Sequence, residues 1–293
     1  MMTEAPLLGG SSVRLGRRVR NNAVTAASYI AFVVAALPLL LVIITVVRKA
    51  APALTPKFFT NDLPIQARSA QGGIGPAIVG TIVITGLASL IAIPIGVLSA
   101  IYLSEYGGKS VTARTIRFLS DVMAGVPSIV MGLFIFTIWV LRFKQRSALA
   151  GALALACLML PVVIRSAESM LHLVPRDLRE ASYALGTRKS RTILTVVLPS
   201  AAPGIVSGAL LAIARAAGET APLLFTIGVT YSRNIHLTGE NTALSTQIFS
   251  NASTSFVAAQ QRAWGAALTL IVLVLILSTV ARIITARFAT RSS

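Results

Sequence analysis

Apolar residues fall in six blocks of bilayer-spanning length, at about 23–47, 76–103, 122–141, 147–164, 199–229 and 264–281, with polar and basic stretches between them. A bilayer core of about 30 Å takes about 20 apolar residues as helix, and only a helix or a closed barrel satisfies every backbone group there. The pattern therefore predicts an all-α integral membrane protein with six transmembrane helices. The second block is long enough to tilt or to extend beyond the lipid. Only residues 142–146 separate the third from the fourth, which predicts a tight helical hairpin. Arg215 and Glu219 interrupt the fifth. Six spans put both termini on one side.

Composition narrows the class. Of 293 residues, 55% are hydrophobic and 12% charged, against about 25% charged in an average soluble domain, so a soluble enzyme is excluded. A net charge of +17 would suggest nucleic acid in a soluble protein, but here the bases sit between apolar blocks and topology accounts for them. With the N-terminus in the cytoplasm, the inner segments hold sixteen of the 26 Lys and Arg and the outer ones nine, which favours both termini inside. Arg142, Lys144 and Arg146 make one outer turn basic against that trend. About twenty polar and basic residues precede the first block, and that block is too long for a signal-peptide core, so it is expected to remain as a span.

Cys157 is the lone cysteine, and His172 and His236 are far apart without neighbouring ligands, so no metal site is expected. Gly107-Gly108-Lys109-Ser110 imitates the end of a phosphate loop, but that motif needs Gly where Leu103 stands. ATP is not expected to bind this chain. The triplet beginning at Asn251 fits a glycosylation acceptor by chance. Pro38, Pro94, Pro127, Pro161, Pro203 and Pro222 fall inside blocks, as in a kinked bundle that lines a cavity or in a structural bundle with ordinary kinks. Gly204 and Gly208 form a small-residue step for close helix contact.

The segment after the fourth block, 166–198, is the most informative. Pro175 suits a first helical position, Leu178, Ala181, Ser182 and Leu185 share one helical face, and Gly186 can end the helix. A short amphipathic helix at 175–185 follows, with Arg176, Arg179 and Glu180 on its polar flanks. A second helical piece at 188–197 leads to Leu198-Pro199, where the chain re-enters the membrane. By composition alone, the amphipathic helix could equally lie at the lipid surface.

Glu180-Ala181-Ser182, Gly186 six residues after the Glu, Val196 ten further on, and Leu198-Pro199 resemble the EAA loop of ABC-importer permeases, the inner-membrane components of binding-protein-dependent transport. GGIGPAIVGT (72–81), IAIPIGVLSAIYLSEY (91–106), LSDVMAGVPSIVMGLF (119–134), LPVVIRSAESML (160–171) and ARAAGETAPLLFTIG (214–228) extend the resemblance to phosphate-specific permeases. It implies a type I ABC importer permease fold. Its layout would be a cytoplasmic tail at 1–21, a peripheral first helix at 22–48, a permease core at 72–287 and a tail at 288–293. It also implies that Leu178, Glu180, Ala181, Ser182, Leu185 and Gly186 couple to a cytoplasmic ATPase. The implied partners are a second, related permease, two ATPase subunits that carry the ATP and Mg, and an extracytoplasmic phosphate-binding protein, all at a bacterial plasma membrane.

An intramembrane Arg is a functional-site candidate. Arg215 and Glu219, four apart in the fifth block, can pair and share the cost of burial. A guanidinium offers a tetrahedral oxyanion two parallel donors, and Glu219 could weaken the site so that phosphate leaves it. A structural pair remains the alternative. The resemblance adds Arg165 to the inner exit of the path, where positive-inside anchoring would also explain it. Thr220, Ser128 and Thr85 could supply hydroxyls, although such hydroxyls usually bond to their own helix. Asp121 is read as a helix-end group facing Arg117 or polar headgroups. The rival readings are a permease for sulfate or molybdate and an ion-gradient-coupled carrier.

Overall fold

The computed structural model describes residues 15–69 and 71–289. Among them every regular element is helical. The first, α1 (Leu15–Ala50), is a single 36-residue helix with Pro38 inside it, longer at about 1.5 Å per residue than the bilayer core needs. Residues through Arg48 form one unit and those from Lys49 a second.

The second unit opens with α2 (Pro56–Thr60), whose first turn is held by Thr55 Oγ1 accepting from the Phe58 amide at 3.2 Å. Next comes α3 (Gly75–Ile101), which runs on through a π turn at Tyr102–Tyr106. Ser110 caps α4 (Val111–Gly125). Beyond it, α5 (Ser128–Ile135) passes through a π turn at Phe136–Val140 into α6 (Leu141–Phe143). Lys144, at φ 53°, closes the predicted hairpin into α7 (Ala148–His172). Then follow α8 (Arg176–Ala184), α9 (Lys189–Thr192), α10 (Leu198–Ala217), α11 (Ala221–Thr226), α12 (Leu244–Ala252) and α13 (Val257–Ala289).

Five helical stretches are long and apolar enough to cross a membrane, and the third predicted span differs from them. It is not one helix over 122–141. Val111–Gly125 and Ser128–Phe143 meet at 106°, because Val126, the residue before Pro127, is extended at ψ 129° and Pro127 follows at ψ 137°. The apolar start of the block thus belongs to an amphipathic helix, α4, that leaves Val111, Phe118, Leu119 and Val122 exposed. The fifth block is also divided. α10 stops at Ala217, and α11 starts afresh with Pro222 in its first turn, a residue that cannot extend the preceding helix.

Small residues bring α3, α7 and α10 together. Ala88, Ala92, Ala152, Ala156, Ala212 and Ala216 are buried with Leu155, Met159 and Val163, as close-packed membrane helices require. The Gly204/Gly208 step serves the α10–α7 contact: a Cβ on Gly208 would lie 1.7 Å from Ser166 Oγ, and one on Gly204 2.2 Å from Met170 Sδ. Positions 204 and 170, then 208 and 166, are therefore level, so the two helices run antiparallel.

The polar stretch 231–262 is partly built into the bundle. Asn241, Thr242, Ser245 and Gln247 are buried. The carbonyls of Thr226, Gly239 and Leu237 accept from the first amides of α7, Ser147, Ala148 and Leu149, at 2.9–3.1 Å, so they satisfy donors that a helix start leaves free. Thr81 Oγ1 accepts from the Leu244 amide at 2.8 Å. Arg262, also buried, donates to the Ala67 carbonyl at 2.6 Å and to the Ser69 carbonyl. The polarity that marks this stretch as surface is spent on internal hydrogen bonds.

Candidate coupling surface and translocation path

α8 is the predicted amphipathic helix, with Pro175 one residue outside it as its N-cap. Leu178 and Leu185 are exposed, at 45% and 85%, and Glu180 and Ala181 are exposed with them. An apolar side chain left in solvent at i, i+3 and i+7 of a short helix is a docking face in want of a partner. Ser182 does not belong to that face. It is buried, with its hydroxyl 2.7 Å from Thr187 Oγ1 and 2.9 Å from Thr192 Oγ1, so it holds α8 to α9.

Gly186 ends the helix at φ +78°, its amide donating to the Tyr183 carbonyl at 2.8 Å. Nothing lies within 4 Å of the position a Cβ would take, so any penalty there is one of backbone conformation alone. Gly186→Val is expected to cost about 1–2 kcal/mol at this left-handed position, and Gly186→Asn, which tolerates it, much less. Thermal unfolding of the two variants checks this; equal melting contradicts it. The second helical piece runs on through Leu198-Pro199: Lys189–Ala217 is one continuous helical stretch, eased by a π turn at Ile193–Val197.

The inner side of this region carries contacts that periodicity did not reveal. Arg179, read as a polar flank, reaches inward to Glu105 at 3.0 Å. Arg117 meets Glu168 at 2.8 Å and donates to the Leu103 carbonyl at 3.2 Å. A polar cavity of about 430 Å³ beside α8 is lined by Glu105, His172, Arg176, Arg179, Glu180 and Tyr183.

Of the four path candidates, Arg215, Glu219 and Thr220 are neighbours and Arg165 stands apart with another partner. Arg215 occupies the last turn of α10, with Nε 3.7 Å from Glu219 Oε1. The i, i+4 contact exists, but Glu219 stands beyond the helix end, and the pair is not buried: the Arg215 side chain is 73% exposed and that of Glu219 21%. Ser245 Oγ donates to the Glu219 carbonyl at 2.9 Å. Thr220 is the N-cap of α11, without a side-chain cap bond. Arg165 pairs instead with Asp121, both more than half exposed, whereas Asp121 was expected to face Arg117 or polar headgroups. From the α10–α7 register, Arg165 and Arg215 are offset by about 9 Å along the helix axes. Ser128 opens α5, and Thr85 lines an apolar cavity of about 240 Å³ with Ile213 and Ala217. Among the described residues no three His, Cys, Asp or Glu side chains converge as metal ligands.

Five to six helical stretches long and apolar enough to cross a membrane, one of them sharply bent, and the exposed amphipathic helix α8 are the build of an integral membrane protein. Residues 92–293 match the family described as binding-protein-dependent transport system inner membrane component, and the chain belongs to that family. Among its relatives, phosphate transport system permease protein PstA 1 of Mycobacterium tuberculosis (strain H37Rv) is 44% identical over 274 residues, 92% of this chain and 89% of the relative. The PstA protein of Yersinia pestis is 40% identical over 271 residues, 92% of each. A solved structure of the MetNI methionine ABC transporter in an inward-facing conformation superposes with a TM-score of 0.61 at 18% identity, covering 73% of this chain and 95% of that one. The fold is that of a type I ABC importer permease.

Proposed function

We propose that this chain is the transmembrane permease subunit of an ATP-driven importer of inorganic phosphate and forms the translocation path with a second, related permease. The observation that carries the reading is the exposed Leu178–Ala181–Leu185 face of α8, ended by Gly186 at positive φ, in a chain 44% identical to a phosphate permease. That face is the docking element for one of two cytoplasmic ATPase subunits, which hold the ATP and its Mg. The chain itself catalyses no reaction. An extracytoplasmic phosphate-binding protein delivers the anion to the opposite face.

Both termini, α4 and α8 lie on the cytoplasmic side of a bacterial plasma membrane, α1 lies at the periphery of the complex, and 231–262 lies outside. Arg215 contributes positive potential to a transient anion site, which Glu219 keeps weak. The exposed guanidinium suits this role, since a path between two permeases must be lined by groups that each leaves open. Arg165 stands nearer the inner exit.

Cells that lack this chain test the substrate. Radiolabelled phosphate uptake is expected to be lost and restored by the gene, with sulfate and molybdate uptake unchanged. Loss of sulfate or molybdate uptake instead assigns the permease to that oxyanion.

A further inference from the structure

Arg179 joins α8 to the tip of α3 and the end of α7. Its side chain is 16% exposed and lies against Glu105 at 7%. One nitrogen, Nη2, donates to Glu105 Oε1 at 3.0 Å and to the Leu171 carbonyl at 2.8 Å, while Nη1 donates to the Val174 carbonyl at 2.6 Å. Three acceptors from two other segments, the tip of α3 and the end of α7, thus converge on one guanidinium. The same tip is held from the far side of the loop. Lys189, at the start of α9, donates to the Glu105 carbonyl and sits 4.7 Å from the centre of the Tyr106 ring. Glu105 and Tyr106 close the π turn that ends α3, so the end of that span is gripped from both arms of the α8–α9 loop.

We infer that Arg179 is a positioning residue for transport: through Glu105 it ties displacement of α8 to the tip of α3, so that movement of the docked ATPase is delivered to a span. The inference rests on the reading of α8 as the docking helix. Charge-assisted bonds out of water are short and stiff, whereas Leu178, Ala181 and Leu185 face outward and can receive motion but not pass it inward. A planar fork reaches a carboxylate and two carbonyls at once; an ammonium at the same place reaches fewer.

The test uses the complete transporter in proteoliposomes with its binding protein, and reads phosphate imported per ATP hydrolysed. Arg179→Gln and Glu105→Gln are each expected to lower that ratio by about tenfold, within the usual range of coupling between sites. The ATPase subunits should stay bound and continue to hydrolyse ATP. The double variant should be no worse than either single one, because both remove one linkage. Arg179→Lys keeps a charge opposite Glu105 and with it assembly; its ratio is expected to fall between wild type and Arg179→Gln. A wild-type ratio in Arg179→Lys, or in any assembled Gln variant, overturns the inference, as does a double variant in which the two losses multiply. Wild-type uptake that needs no ATPase would instead overturn the underlying reading.

Discussion

Ala181→Asp is expected to release the ATPase from the complex and abolish phosphate uptake while the membrane bundle stays folded. Ala181 is exposed on α8, on one face with Leu178 and Leu185 and next to Glu180. In the isolated chain a carboxylate there remains hydrated and disturbs nothing. In the docked complex the same group is taken out of water without a partner, at a cost of about 3 kcal/mol or more, which weakens association by more than about a hundredfold. Copurification of the ATPase with a tagged permease measures the loss, and thermal unfolding of the variant monitors the fold. Normal copurification with normal uptake contradicts the assignment of this face.

Arg215→Gln is expected to lose most phosphate uptake with little change in stability, and the exposure of the side chain is the reason. An exposed ion pair contributes about 0–1 kcal/mol to folding, and the Arg215 side chain is 73% exposed in this chain. Its value to the anion is larger, since a hydrogen bond to a charged group is worth about 1.5–3 kcal/mol, or about ten- to a hundredfold in rate if the site lies on the path. Glu219→Gln is expected to act in the opposite sense on binding, by leaving the guanidinium uncompensated so that phosphate is held and released slowly. Uptake falls in both, for different reasons. Exchanging the two residues is more than a displacement along one helix, because position 219 lies past the end of α10 next to Ser245; the guanidinium would then sit on a half-buried turn. An exchanged protein that assembles and imports at the original rate makes Arg215 a structural partner.

The straight spans were legible because block length and charge content are what a bilayer selects, and α3, α7 and α13 each contain their predicted block almost whole. Bends were less so. Pro127 and Pro222 were visible as possible kinks, but a kink within a span and a break that separates two helices look alike in a list of apolar residues. The difference lies in Val126 being extended before Pro127 and in α11 starting anew at Ala221. Ser182 fell into the docking face because a small polar residue fits either side of an amphipathic helix; only its contacts with Thr187 and Thr192 place it inward. Glu105 and Arg179 are 74 residues apart, and no periodicity joins residues on different elements. The buried polar residues between Asn241 and Gln247 were hidden for a related reason: their segment's hydrogen bonds go to Thr81, to Glu219 and within its own loop.

The most direct test of the central claim is phosphate uptake into proteoliposomes that contain this chain, its partner permease, the ATPase pair and the binding protein, compared with vesicles in which the ATPase cannot hydrolyse ATP. Uptake that requires ATP hydrolysis, requires this chain, and is not replaced by an imposed proton or sodium gradient is the predicted result. Uptake by this chain alone, driven by such a gradient and indifferent to the ATPase, would contradict it.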